Sequence, residues 1–167
     1  MANRESVQVQ VRSQPTDFEA LYAAEFGTMV RVAYLITRSV AIAEEITNGA
    51  FLKVLERWTS LTAPAGYART LVVRAALRTR RRRGRELDHL ATLRSVESHF
   101  EPAIDEMWDA LGQLPANQRA ALVLRFYDDC SHEQIAGAMH CTVSAARSLT
   151  HRGLAALRKD LERWSRA

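Results

Sequence analysis

Apolar residues recur along this chain at the three- and four-residue spacing of amphipathic helices, and the alternation typical of strands is nearly absent. The helices predicted in the N-terminal half span about 17–37, 41–58 and 64–84. Pro64 suits the first turn of the third helix, and Gly84 is expected to end it. We therefore predict an all-α fold that begins with a flexible tail over residues 1–16 and a first domain over residues 17–84.

The same periodicity returns after a weakly periodic linker over residues 85–103. The second domain, residues 104–167, should open with a short helix ending near Leu114, followed by a helix that starts at Pro115. The positions expected on the buried face of these two helices are Ile104, Trp108, Leu111, Leu114, Ala121, Leu124 and Tyr127. The chain ends a few residues after the last predicted helix, so we expect no further C-terminal domain.

Two capping signals mark the final pair of helices. Ser131 followed by Gln134 forms a capping box, and Thr142 is a good N-cap for a helix over about 143–162. The residues expected to face inward on the last helix are Val143, Ala146, Thr150, Leu154, Leu157 and Leu161. Two helices joined by a short turn, the second long and basic, are typical of a helix-turn-helix.

The net charge of +4 is concentrated in one segment. Residues 62–103 carry nine arginines against four acids, and six of those arginines fall between Arg78 and Arg85. A local basic patch of this kind favours a polyanionic partner, although such runs are also common on solvated helix ends. Aromatic residues at Trp58 and Tyr67 flank the turn before the third helix and could stack on an unpaired base, or belong to the core.

Composition and spacing argue against several other classes of protein. No apolar run approaches the roughly 20 residues of a membrane-spanning helix, and the polar N-terminus lacks a signal-peptide core, so we expect a cytoplasmic protein. Cys130, His132, His140 and Cys141 resemble a metal set, but a helix about 12–15 Å long would separate them, so we predict no metal site. The sequence contains no recognisable pairing of a catalytic nucleophile with a general base, and no phosphate-binding loop. We therefore predict no enzymatic activity and no cofactor.

The quoted stretches "AEEITNGAFLKVLERW", "APAGYARTLVVRAALRTRRRR" and "ALGQLPANQRAALVLRFYDDCSHEQIAGAMHCTVSAARSLTHRGLAALRKDL" together resemble the extracytoplasmic-function sigma factors of bacterial RNA polymerase. The likeness covers nearly the whole chain from about Asp17 and is strongest to the actinobacterial sigma-E group. It implies that the first domain binds the clamp-helices coiled coil of the polymerase β′ subunit and opens the −10 element. It also implies that the second domain reads the −35 duplex near the β-flap, and that an anti-sigma factor holds the protein inactive.

The resemblance assigns residues to each of these contacts. Polymerase binding falls on Glu44, Glu45, Asn48, Phe51, Leu52 and Trp58. Capture of the −10 strand falls on the loop 60–67, including Tyr67, and on Arg69, Arg74 and Arg78. Reading of the −35 element falls on Ser144, Ala145, Arg147, Ser148, His151 and Arg152.

The chain departs from the family pattern in three places, one of which is Leu149-Thr150, where a more polar residue and a leucine are often found. Asn48-Gly49 stands where relatives commonly have glutamine followed by an acid, and Arg74 stands where asparagine is usual. Two other functions remain open at this point. One is a two-domain DNA-binding regulator that does not enter polymerase, and the other is a helical module whose basic segment binds an acidic protein.

Overall fold

The computed structural model describes residues 17–87 and 110–164, and all regular structure in those two ranges is helical. The helices are α1 (Asp17–Thr37), α2 (Val40–Glu56), a 3₁₀ turn (Trp58–Ser60), α3 (Pro64–Leu87), α4 (Ala116–Leu122), a π-helical turn (Val123–Tyr127), α5 (His132–Met139) and α6 (Val143–Trp164). Residues 110–113 are also helical. The predicted all-α fold with a helix-turn-helix near its end is confirmed. The tail 1–16 and most of the linker lie outside the described residues.

Helices α1, α2 and α3 pack around an apolar cluster built from one face of each. Ser39 caps α2 by accepting a hydrogen bond from the backbone N–H of Ile42 at 3.5 Å, and Pro64 opens α3. The buried residues of this cluster are Met29, Ala33, Ala43, Ala50, Phe51, Val54, Ala68 and Val72. The apolar periodicity of the sequence therefore gives each helix a buried face. The opposite faces of α2 and α3 are left available for contacts outside this cluster.

Helix α3 does not end at Gly84 as predicted but continues to Leu87. A glycine inside a helix costs only about 1 kcal/mol relative to alanine. Arginine is a good helix former, and the run before Gly84 supplies enough helical residues to carry the backbone through that position. The arginine run is therefore helical throughout.

The C-terminal half follows its capping signals. Pro115 precedes α4, and Ser131 and Gln134 form the predicted capping box, with distances of 2.7 and 3.2 Å in its two hydrogen bonds. The Thr142 hydroxyl accepts from the N–H of Ala145 at 3.1 Å and so starts α6. These caps fix where the two helices of the motif begin, because each one satisfies backbone N–H groups of the first helical turn.

Two apolar positions in this half differ from expectation. Tyr127 and Leu154 are exposed, whereas both were expected to face inward. Gly153 replaces Leu154 on the buried face, where a Cβ atom on it would lie 3.0 Å from Leu122 Cγ. The absence of a side chain lets α6 approach α4 closely, and this contact rotates Leu154 toward solvent.

The two halves share a second apolar cluster and pack against each other. From α1 and α3 it contains Val32, Leu35, Ile36, Val73, Ala76 and Leu77. From the C-terminal half it contains Ala120, Ala121, Val123, Leu124, Cys130, Ile135, Ala136, Ala138 and Ala146. The C-terminal half therefore rests on α1 and α3 and leaves α2 uncovered on its outer side.

Arg119 is fully buried at this junction and bonds only to backbone carbonyls. Its guanidinium donates to the carbonyl oxygens of Leu111, Gly112 and Leu114 at 2.6–2.9 Å, and to Ile36 in α1 at 3.0 Å. Burial and the nearby charges of two other arginines lower the pKa of Arg119 to about 10, so the group stays charged at neutral pH. One cation thus joins the end of α1 to the start of the C-terminal half.

Candidate nucleic-acid interface

One face of α6 is open to solvent and carries the residues predicted to read the −35 duplex. Ser144, Arg147, Ser148, His151 and Arg152 are exposed, and Ala145 is half-buried. The opposite face holds Ala146 and Thr150 in the core. The small residues at the start of the helix allow its N-terminal backbone amides to approach a DNA groove. The basic residues further along the helix can extend their guanidinium groups toward the same groove.

Arg147 on this face has an acidic neighbour on α5. Its guanidinium lies 4.0 Å from the Glu133 carboxylate, and both side chains are exposed. A backbone hydrogen bond, the Ser131 hydroxyl and the charge of Arg147 lower the pKa of Glu133. An exposed pair at this distance is weak, so Arg147 can exchange Glu133 for a phosphate or a base at little cost.

Helix α3 carries the residues predicted to hold the −10 strand, and two of them, Arg69 and the exposed Arg74, contact the C-terminal half. Arg69 forms an ion pair with Asp128, which follows the π-helical turn, and the second contact between the two groups is 3.4 Å. Burial alone lowers the pKa of Arg69, whereas the hydrogen bond and the charge of Asp128 raise it and prevail. Arg74 donates to the Gly137 carbonyl at 3.2 Å and lies 3.4 Å from His140 Nδ1.

Arg78 and Tyr67 lie apart from that contact. Arg78 is exposed at the rim of a groove of about 180 Å³ between α2 and α3, opposite Glu45. Gly49 lines the floor of this groove, where an added Cβ atom would meet nothing within 4 Å. Tyr67 is half-buried against the cluster of the first three helices. The four predicted −10 residues therefore do not form one open surface in this conformation.

The outer face of α2 presents most of the residues predicted to bind polymerase. Glu44, Glu45 and Asn48 are exposed, and Leu52 is 62% exposed. Leu55, which the sequence did not single out, is 51% exposed on the same helix. Leu52 and Leu55 are two large apolar side chains exposed to solvent one helical turn apart. Such a pair indicates a surface that a partner covers.

Phe51 does not belong to that surface, in contrast to its assignment from the resemblance. It is 2% exposed and packs edge-on to Tyr22, with ring centroids 5.2 Å apart, and against Phe26 at 5.7 Å. Phe18 adds an edge contact to the half-buried ring of Trp58 at 5.5 Å. The ring of Phe51 is enclosed by those of Phe18, Tyr22 and Phe26, so it cannot touch a partner and supports α2 from the core side. Trp58 can contribute only its exposed part.

The two cysteines are free thiols in different surroundings. Cys130 is buried, and burial, which outweighs the opposing effect of Arg69, raises the pKa of its thiol to about 11. Cys141 is half-buried in the turn between α5 and α6. Within the described ranges, no group of three or more His, Cys, Asp or Glu side chains is arranged to hold a metal ion.

This difference predicts selective modification at neutral pH. A maleimide reagent should label Cys141 in the folded protein and leave Cys130 unmodified, because the thiolate is the reactive form and Cys130 is both protonated and enclosed. Peptide mass mapping after timed labelling measures both sites. Labelling in urea provides the control, since both thiols should then react, and equal labelling rates in the native protein would contradict the buried placement of Cys130.

Comparison with known proteins agrees with this geometry. Residues 104–157 match the family model described as Sigma-70, region 4. The RNA polymerase sigma-E factor of Streptomyces avermitilis is 27% identical over 156 residues, which cover 87% of this chain and 86% of that protein. The corresponding factor of Streptomyces coelicolor is 25% identical over 154 residues, with 87% and 86% covered.

A solved structure shares the fold across both halves. The sigma factor RpoE of Bartonella quintana, in complex with the anti-sigma factor NepR, superposes with a TM-score of 0.75 at 21% identity, covering 87% of this chain and 97% of that one. The exposed helix-turn-helix lies in the part of the chain that matches sigma-70 region 4. Along 87% of its length the chain resembles the sigma-E factors of these two Streptomyces species.

Among the described residues, no helix is both long enough and apolar enough to cross a membrane.

Proposed function

We propose that this chain is an RNA polymerase sigma factor that directs the core enzyme to particular promoters and helps to open the −10 element. The observation that carries the proposal is the open basic face of α6 in a domain matched to sigma-70 region 4, in a chain related along 87% of its length to sigma-E factors. We place the protein in the cytoplasm, where core polymerase and promoter DNA are found, and propose that it performs no covalent chemistry.

In this proposal α6 enters the major groove of the −35 element. Arg147 and Arg152 are long enough to reach guanine edges or phosphates, while Ser144 and Ala145 allow the helix start to come close to the backbone. The N-terminal amides of α6 would bind a phosphate and set the register. Sequence preference would thus come from Arg147, Ser148 and His151, with the other contacts fixing orientation.

The −10 strand would lie on α3 and on the loop before it. Unstacking a base costs a few kcal/mol, which stacking on an aromatic ring such as Tyr67 and charge pairing with arginines can offset. Arg69, Arg74 and Arg78 would supply those charges, and the arginines after them would add a diffuse attraction to phosphates that weakens as salt rises.

Docking to polymerase would use the outer face of α2 against the β′ clamp-helices coiled coil. Leu52 and Leu55 would supply apolar contact, while Glu44, Glu45 and Asn48 would supply polar contacts that fix orientation. The C-terminal half would lie near the β-flap. An anti-sigma factor that covers these surfaces is the expected inhibitor, in keeping with the complex that the Bartonella quintana sigma factor forms with an anti-sigma factor.

The function is tested by transcription in vitro with purified core polymerase and a library of promoters from the source genome. We expect defined start sites that depend on the added chain, together with copurification of the chain with core enzyme. A chain that binds DNA but neither joins core polymerase nor creates new start sites would instead be a regulator that acts outside the enzyme.

Arg147→Ala is expected to lower transcription from a cognate promoter by about tenfold, because loss of a bidentate base contact costs about 1–3 kcal/mol. Arg158→Ala is the matched control, since it removes the same charge from an exposed position about 16 Å further along α6. Run-off transcription at fixed salt measures both. Equal activity of Arg147→Ala and the control would exclude the proposed reading face.

A further inference from the structure

We propose that a cluster of four arginines binds a small phosphate-class anion with two or more negative charges, such as a diphosphate. The members of this arginine cluster are Arg38, which follows α1, Arg80 and Arg83 in α3, and Arg119 in α4. The inference goes beyond the proposed function, because neither promoter reading nor docking on polymerase requires a small-molecule ligand.

Gly112 brings two members of the arginine cluster together. A Cβ atom on Gly112 would lie 2.8 Å from Nη1 of Arg38, so the Arg38 guanidinium rests against this glycine. The carbonyl oxygen of Gly112 accepts a hydrogen bond from Arg119 at 2.6 Å. Arg38 itself has a left-handed backbone, with φ at 62°, where the chain turns after α1. The side chains of Arg38 and Arg119 therefore border the same residue, which has room for both because it lacks a side chain.

Arg80 lies at the centre of the arginine cluster. Burial and the positive charges of Arg38 and Arg83 lower the pKa of Arg80. Burial and the charges of Arg80 and Arg38 lower the pKa of Arg119 in the same way. The guanidinium groups are therefore close enough to repel one another, and an anion among them would relieve that repulsion.

The members of the cluster offer different things to a ligand. Arg119 already donates four hydrogen bonds to backbone carbonyls, so it contributes positive charge rather than free donors. Arg80 is half-buried, and its Nε is enclosed with no hydrogen-bond partner among the described residues. Arg83 is exposed one helical turn further along α3. A buried donor without an acceptor is unusual in a folded protein, and a ligand oxygen would satisfy it.

The chemistry of the cluster favours a compact phosphate-class ligand. The planar fork of a guanidinium matches the oxygens of a phosphate group, and several positive charges in one place favour an anion with several negative charges. Arg119 is fully buried and Arg80 half-buried, whereas Arg147 and Arg152 on α6 stand open to solvent. A small anion can enter between Arg38 and Arg83 to reach Arg80, while a DNA duplex would meet only the exposed members.

Arg80→Gln tests the site in the full-length chain. The experiment titrates inorganic pyrophosphate into the protein by isothermal calorimetry, with ionic strength held constant by sodium chloride. We expect saturable one-to-one binding by the wild type and about tenfold weaker binding by the variant, because a charge-assisted hydrogen bond is lost. Pyrophosphate should also raise the unfolding temperature of the wild type more than that of the variant. Heats of the wild type no larger than those of matched chloride would overturn the proposal.

Arg81→Gln is the matched control. It removes the same charge from the neighbouring position, which is exposed and lies about 100° further around α3. Its binding of pyrophosphate should stay within about twofold of wild type, because an exposed charge outside the site acts only through a screened field. An equal loss in Arg80→Gln and Arg81→Gln would reveal diffuse attraction to the whole arginine run and would refute a defined site.

Gly112→Ala tests the geometry without changing any charge. The added Cβ atom would lie 2.8 Å from Nη1 of Arg38 and must displace that flexible guanidinium, so we expect pyrophosphate binding to weaken several-fold. Unchanged binding would remove Arg38 from the site. A random-sequence single-stranded oligonucleotide is titrated in parallel. If it displaces pyrophosphate and loses as much affinity in Arg80→Gln, the cluster binds the DNA backbone, and the small-anion site is disproved.

Discussion

Replacing Leu52 and Leu55 together with glutamate is expected to abolish binding to core polymerase, with an affinity loss of 100-fold or more. Both side chains are more than half exposed on α2, at 62% and 51%, so neither supports the fold of the free chain. Anchors at the centre of an interface each contribute about 2 kcal/mol or more, and charges buried there without partners add a further penalty. Copurification and a titration with labelled core enzyme measure the loss.

Val40→Glu provides the control for this pair. Val40 is also exposed, at the first turn of α2, where an acid suits the helix dipole. It should weaken polymerase binding far less than the double variant does, because it lies one turn from Glu44 but three turns or more from the apolar pair. If the double variant still copurified with core enzyme, the docking surface would have to lie elsewhere on the molecule.

Arg119→Met is expected to destabilise the folded chain by about 3–5 kcal/mol, because each buried carbonyl left without a donor costs about 1–3 kcal/mol. The side chain now satisfies carbonyls at Leu111, Gly112, Leu114 and Ile36. Methionine fills much of the same volume but donates nothing. Urea unfolding followed by circular dichroism measures the change in the free energy of unfolding.

Arg125→Met serves as the comparison. Arg125 is half-buried and donates to a single carbonyl, that of Cys130 at 3.0 Å, so its loss should cost about 1 kcal/mol. A similar midpoint shift in both variants would show that the Arg119 network contributes no more than an ordinary hydrogen bond. Because Arg119 joins both halves, its removal should also lower the cooperativity of unfolding.

The elements of this fold follow from local signals that the sequence contains in full. Apolar spacing predicts which residues are helical, and short-range hydrogen bonds decide where helices start, as at Ser131 and Thr142. Helix ends are less determined. Gly84 was expected to end α3, but its small intrinsic cost is outweighed by the helical preference of the arginines around it.

Helix faces were harder to predict where a tertiary contact selects between neighbouring positions. Leu154 fits the apolar stripe of α6, yet Gly153 is buried in its place because a close approach to Leu122 favours the residue without a side chain. Phe51 fits either the core or a docking face by periodicity alone. Only the positions of Tyr22 and Phe26 in α1 show that its ring is enclosed.

The contacts between the halves had no sequence signal. Arg69 and Asp128 are 59 residues apart, and Arg74 and Gly137 are 63 apart. Neither helical spacing nor a capping motif links positions at such distances. The sequence therefore predicts which basic residues face outward from α3, whereas the structure shows that two of them contact the C-terminal half.

The apolar cluster shared by the two halves also implies a dependence on temperature. Exposing apolar surface to water raises the heat capacity, so the free energy of separation must curve with temperature. Apolar contacts weaken on cooling, since their stabilisation is mainly entropic near room temperature. With Val32, Ile36, Leu77 and Ile135 in the shared cluster, chilling should enlarge the separated population.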